Sequence, residues 1–212
     1  MEVTMNNKQT VFIVDDDDGV REGLALLLES INQPYELYRS AFEFLENYDK
    51  SKRGCLVLDI RMPRMSGLEL QKRLKMQHAP LPIIFISGHG DIPMAVEAMR
   101  QGAIDFIRKP FREQDLLDRI NEALSLSFNE SLRKDVPDLQ QKLDKINTLS
   151  DRELDIFNRI SKGDMNKVIA ADLSISERTV EVHRSQVMKK LGTKTLAQIV
   201  RIKIETELMP QA

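Results

Sequence analysis

The sequence predicts a doubly wound α/β domain, a (βα)5 parallel sheet, joined by a helical linker to a small all-α helix-turn-helix domain. Three observations predict it. Five short apolar runs alternate with helix-period segments over residues 1–125. Two of those runs, CLVL and IIFI, are apolar on both faces, as strands covered by helices on each side must be. After Leu149 every periodic segment is helical in spacing. With 212 residues the chain can form two small domains, and the boundaries fall at 1–125, 126–148 (linker) and 149–212.

The strands are VFIVD (11–15), YELYR (35–39), CLVLD (55–59), PIIFIS (82–87) and IDFI (104–107). Helical spacing falls between them at Val20 to Ser30, Ala41 to Tyr48, Gly67 to Met76 and Pro93 to Gln101. A fifth helix starts at Glu113, with Leu116, Leu117, Ile120, Ala123 and Leu124 on one face, and Pro137 is expected to end or kink its continuation. Residues 126–148 carry four basic and four acidic side chains and few large apolar ones, which suits a solvated, largely helical connector. Ser150 with Glu153 forms a capping box for the next helix. MNKVIAADL is a short helix, a longer one follows Ser176 and stops at Gly192, and KTLAQIVRIKI closes the bundle. Val168, Ile169, Leu173, Val180, Val187 and Leu191 are its expected core.

Composition removes several function classes. Cys55 is the only cysteine, which leaves no intramolecular disulfide and no thiolate metal cluster. The N-terminus lacks a basic region followed by an apolar run, and no segment reaches the roughly 18 apolar residues of a membrane span, so a cytoplasmic protein without membrane association is expected. Charge is unevenly distributed. Residues 1–125 hold 16 Lys/Arg against 20 Asp/Glu, whereas 178–203 hold seven basic residues against Glu181 alone. That second stretch suits a polyanionic partner.

The chemistry-bearing residues lie at strand ends. In an open parallel sheet, ligands bind outside the carboxyl edge near the point where strand order reverses. VFIVDD and CLVLD deliver Asp15, Asp16 and Asp59 to that edge, Ser87 ends the fourth strand, and Lys109 follows the fifth. Carboxylates brought together repel one another unless a cation offsets them, and Mg²⁺ keeping several waters fits an open edge. An aspartate beside a metal, a hydroxyl and an ammonium can accept a phosphoryl group. Asp17 and Asp18 are better placed to cap the following helix than to coordinate. Lys109 precedes Pro110, where a cis bond is one way to aim the lysine inward. A phosphatase of the haloacid dehalogenase type also uses a strand-end aspartate with Mg²⁺ and wants a second aspartate two residues on. Asp15 has Asp17 there and Asp59 has Arg61, so that alternative stays open, though no cap region is visible.

VDDDDGVREGL, LVLDIRMPRMSGLEL and PIIFISGHGDIPMAVEAMRQGAIDFIRKPF, with the C-terminal half, resemble two-component response regulators of the FixJ/NarL class. The resemblance implies that Asp59 is the phosphoacceptor and that Mg²⁺ or Mn²⁺ is held by Asp15, Asp16, Asp59 and the Arg61 carbonyl. It implies Ser87 and Phe106 as switch residues and Lys109 as the phosphate contact. Arg61 and His89 fall where the family tunes dephosphorylation; His89 reads equally well as a plain loop histidine, and His78 carries no assignment. The implied partners are a cognate sensor histidine kinase, promoter DNA, RNA polymerase and a second copy of the chain on phosphorylation. The apolar positions Met94, Ala95, Ala98 and Met99 are the expected dimer face. An enzyme turning over external substrates is not implied. A receiver that no longer takes phosphate is a further alternative.

LSDREL, GDMNKVIAADLSIS and TVEVHRSQVMKKLG resemble the LuxR-type helix-turn-helix, whose second helix enters the major groove. By that resemblance Glu181, Val182 and Ser185 approach base edges. Lys167, Arg178, Thr179, Arg184 and Lys194 are the phosphate candidates, which set register rather than sequence. His183 suits either phosphate or packing. A four-helix protein-binding module explains the apolar spacing equally well, and the basic cluster counts against it.

Overall fold

The computed structural model describes residues 9–49, 51–77, 81–88, 92–128 and 136–207, and the side chains of 128 and 136–140 are outside that description. His78 and His89 also lie outside it. The chain forms two compact units, Met1–His89 with Ile107–Glu130, and Gly90–Phe106 with Ser131–Ala212.

The sheet consists of β1 (Thr10–Val14), β2 (Tyr35–Tyr38), β3 (Gly54–Asp59), β4 (Ile83–Ser87) and β5 (Asp105–Arg108), in the order β2-β1-β3-β4-β5. β1 pairs in parallel with β2 and β3, and β3 with β4, with Val14 opposite Leu58 and Asp59 opposite Ile86. β1 and β3 are therefore neighbours, and strand order reverses beside them. Every residue of β3 and β4 is buried, which explains their unbroken apolar character. Phe12, Phe44 and Phe85 are among the largest side chains with no exposure.

Helices α1 (Asp18–Ser30), α2 (Ala41–Asn47), α3 (Gly67–Met76) and α5 (Glu113–Phe128) accompany the sheet, and α4 (Ile92–Arg100) falls in the second unit. Side chains set their starts: Asp17 accepts from Val20 N, Ser40 from Glu43 N and Ser66 from Glu69 N. Asp17 is thus the cap that its place in the sequence suggests.

The second unit adds α6 (Val136–Asn147), α7 (Asp151–Ile160), α8 (Asn166–Asp172), α9 (Glu177–Leu191) and α10 (Leu196–Glu207). The Ser150/Glu153 capping box is present, Ser176 caps α9, and Gly192 ends α9 at φ 70°, a conformation that suits glycine. Ile156, Phe157, Ile160, Ile169, Val180, Val187, Leu191, Ile199 and Ile202 form the core. α10 packs against α4, α6 and α7.

Three expectations need correction. Val168 is 42% exposed rather than core, because it lies one position, about 100° of helix, from the fully buried Ile169 and shares a face with exposed Met165. Pro137 does not end a helix; it sits in the first turn of α6, where a missing N–H costs nothing. The latter half of the connector is not merely solvated: α6 packs on α9 and α10, and Lys142 Nζ is 2.8 Å from Glu205 Oε2. Of the expected dimer face, Ala95, Ala98 and Met99 are buried.

Candidate functional site

β1 and β3 end side by side, and each ends in a carboxylate. Asp15 is 1% exposed; its Oδ1 accepts from Asp17 N at 3.0 Å and its Oδ2 from Lys109 Nζ at 2.6 Å. Asp59 is 7% exposed; its Oδ1 accepts from the same Nζ at 2.9 Å and its Oδ2 from Arg61 N at 2.6 Å. Lys109 is held in turn by its backbone N–H, which donates to Ser87 O at 2.7 Å, and the Lys109–Pro110 bond is cis. Ser87 is buried at the end of β4, one residue beyond the partner of Asp59.

Burial pushes the Asp15 carboxyl above the usual aspartate range, against the lowering effect of the Lys109 hydrogen bond. Burial alone would lower the Lys109 ammonium, but its bonds to Asp15 and Asp59 outweigh that and hold it above the ordinary lysine value. Two largely buried carboxylates thus share one ammonium.

The structure brings Asp15, Asp59 and Lys109 together, with Ser87 at the next strand end. Asp16 is exposed, and among the described residues no group of three His, Cys, Asp or Glu side chains is arranged as a metal cage. The donors suit a hard divalent ion nonetheless. They are all oxygens, they exceed their one ammonium in charge, and Mg²⁺ is commonly held by one or two carboxylates with water completing its shell. Phe106 is half-buried on β5, and its N–H donates to Asp105 Oδ1 at 2.7 Å.

Sequence reading missed Arg21. Its Nη1 donates to Asp15 O at 2.6 Å and its Nη2 pairs with Asp18, so the guanidinium clamps the β1–α1 turn. The i, i+3 spacing from Asp18 is the one signal that could have found it.

On the second unit, Lys167, Arg178, Glu181, Val182, Ser185 and Lys194 are exposed, and Arg178, Glu181, Val182 and Ser185 line one shallow depression on α9. Val182 is 51% exposed. Thr179 is half-buried, its hydroxyl 2.8 Å from that of Ser176. Arg184 is half-buried, and its Nη1 donates to Asn166 Oδ1 at 3.0 Å. His183 Nδ1 is buried and finds no hydrogen-bond partner among the described residues.

Residues 11–121 match the family model of the response regulator receiver domain, and residues 147–203 match that of the bacterial regulatory proteins of the luxR family. The chain belongs to the two-component response regulators. Relatives agree along nearly the whole length. The response regulator protein TodT of Pseudomonas putida strain F1 is 44% identical over 192 residues, 91% of this chain and 84% of that protein. The transcriptional regulatory protein FixJ of Azorhizobium caulinodans is 42% identical over 200 residues, 94% of each. The solved structure of the response regulator StyR is 45% identical, with a TM-score of 0.56 over 93% of this chain and 99% of that one.

This response regulator thus pairs a receiver with a LuxR-type DNA-binding domain, as a transcriptional regulator of a two-component system. The family is one of regulators rather than of substrate-turnover enzymes, and the phosphatase alternative falls with that assignment. Among the described residues no helix is long and apolar enough to cross a membrane.

Proposed function

We propose that Asp59 of this response regulator accepts a phosphoryl group from a cognate sensor histidine kinase and that the resulting change controls binding to promoter DNA. The observation that carries the reading is the single ammonium of Lys109 bonded to both Asp15 and Asp59. In this reading an Asp59 carboxylate oxygen attacks phosphorus as the bond to the kinase histidine breaks. Asp15, Asp16, Asp59 and the Arg61 carbonyl hold Mg²⁺ or Mn²⁺, which supplies charge neutralisation at the phosphoryl oxygens when bound. Lys109 Nζ, already beside the acceptor, turns from carboxylate to phosphoryl oxygen. Ser87 offers its hydroxyl to the same oxygens, and Phe106 reorients as Ser87 moves.

Residues 1–125 act as the receiver, 126–148 as the linker and 149–212 as the DNA-binding domain. Glu181, Val182 and Ser185 face base edges in the major groove, supported by their shared exposed face. Exposed Lys167, Arg178 and Lys194 contact phosphates, with Thr179 at the start of α9. Homodimerisation through α4 requires its buried apolar residues to be uncovered, and two paired modules then meet adjacent half-sites. RNA polymerase is the onward partner, and the cytoplasm is the location such partners require.

The test uses a DNA fragment enriched from a random pool by wild-type protein treated with acetyl phosphate and Mg²⁺. Binding is then measured for wild type and Asp59→Ala, each with and without that treatment. Stimulation in the wild type alone supports the reading, and equal binding in all four conditions removes phosphorylation from the control of binding.

A further inference from the structure

Arg184 stands apart from the other basic residues of the DNA-binding unit. On α9 it follows Val180 by four residues and precedes Val187 by three and Leu191 by seven, so it belongs to the stripe that faces the core. Arg178, Glu181, Val182 and Ser185 occupy the exposed face. A side chain in the core-facing stripe is badly placed to reach a phosphate that lies against the exposed one.

Its partner has a need of its own. α7 and α9 begin under serine caps, Ser150 and Ser176, whereas the cap position of α8 is held by Met165, which makes no side-chain cap hydrogen bond and is 58% exposed. The first turn of α8 therefore has no local side-chain anchor. Asn166, its first residue, receives one from Arg184 Nη1 at 3.0 Å. Polar ties of comparable reach span the other two pairs among α7, α8 and α9: Arg159 Nη1 lies 2.6 Å from Asp172 Oδ2 between α7 and α8, and Lys190 Nζ lies 2.5 Å from Glu153 Oε2 between α9 and α7.

We propose that Arg184 is a positioning residue, whose guanidinium, bonded to Asn166, sets the angle between α8 and the recognition helix α9 and takes no phosphate itself. The consequence for DNA rests on the DNA-binding reading above; the α8–α9 latch does not. Burial of the guanidinium outweighs the attraction of the nearby Glu181 carboxylate and makes it costly to place, and it is worth placing only where its planar, fixed donors define a geometry. Lysine keeps the charge and loses that fork.

Salt dependence of DNA binding separates the two roles, because each phosphate contact adds about 0.9 to the slope of log K against log salt. The full-length protein is measured on the enriched fragment as wild type, Arg178→Ala, Arg184→Ala, Arg184→Lys, Asn166→Ala, Asn166→Asp and the Arg184→Ala/Asn166→Ala double variant. A latch gives Arg184→Ala, Arg184→Lys and Asn166→Ala about tenfold or greater losses at the wild-type slope, the double variant no weaker than the worse single, and Asn166→Asp near wild type. Arg178→Ala, the phosphate control, lowers the slope by about 0.9.

A slope lowered by about 0.9 in Arg184→Ala, with Arg184→Lys and Asn166→Ala near wild type, overturns the proposal. Should Arg184→Ala fail to fold, the Asn166 pair decides: loss with alanine and retention with aspartate support the latch, and equal behaviour of the two overturns it. If wild type binds no enriched DNA, the DNA reading fails by itself. Urea unfolding then judges the latch, and additive destabilisation by Arg184→Ala and Asn166→Ala overturns it.

Discussion

Lys109 Nζ lies 2.9 Å from Oδ1 of Asp59, a residue fifty positions earlier in the chain. The same nitrogen is 2.6 Å from Asp15 Oδ2, so one cation holds the ends of β1 and β3 together. Lys109→Ala therefore strands two carboxylates in a pocket where Asp15 and Asp59 are 1% and 7% exposed. The receiver transition in urea should lose about 3–5 kcal/mol, and Asp15→Asn added to Lys109→Ala should recover part of that loss. Phosphorylation of Asp59 by acetyl phosphate, read by phosphate-affinity electrophoresis, should fall at least about tenfold in Lys109→Ala.

Gly67, the first residue of α3, lies against the backbone of Asp59. A Cβ there would stand 2.2 Å from the Asp59 carbonyl oxygen and 3.0 Å from the Phe85 ring. Backbone cannot yield as a flexible side chain does, so Gly67→Ala should cost about 1–3 kcal/mol by urea unfolding and displace Asp59. Reduced Asp59 phosphorylation should accompany the lost stability, although the substitution adds no charge and removes no polar group.

Acid should act on the second unit through Glu153. Its hydrogen bonds from Lys190 and from Ser150 N hold its carboxyl down at about 2, against an ordinary value of 4.5. The sign follows from the lowered folded value: the stabilisation is complete above pH 4.5 and is lost as pH falls through about 2. Glu153→Gln should start less stable at pH 7, and between pH 4.5 and 2 its C-terminal unfolding transition should shift less than that of wild type. Differential scanning calorimetry across that range checks both. Parallel pH profiles for the two proteins would sink the assignment.

Val168 and Ile169 are adjacent in α8 and opposite in environment, 42% and 0% exposed. Val168→Ser should change unfolding free energy by no more than about 0.5 kcal/mol, whereas Ile169→Ala should cost about 2–5 kcal/mol. Comparable losses for the two would place Val168 back in the core.

The receiver was largely legible because its signals are redundant. Each strand run was located to within a residue of its observed ends, and strand-end aspartates at 15 and 59 could meet only if β1 and β3 were neighbours. What stayed hidden depends on direction rather than type. On a seven-residue helix, apolar spacing does not fix which face turns inward, and Val168 was misassigned for that reason. Arg184 and Arg178 are the same residue type on one helix; the spacing of Arg184 from Val180 and Val187 already sets it apart, but its Asn166 partner appears only in the fold. The balanced charges of the connector gave no sign that α6 packs on α9 and α10, and Arg21 reaches Asp15 through a backbone oxygen that sequence cannot mark.

The shared ammonium at the sheet edge also constrains how such sequences can diverge. Asp15, Asp59 and Lys109 form a three-body balance, so the fitness of any one depends on the other two. A lineage that gives up phosphorylation is expected to lose the lysine together with an aspartate, and the solitary loss of either should be rare and short-lived.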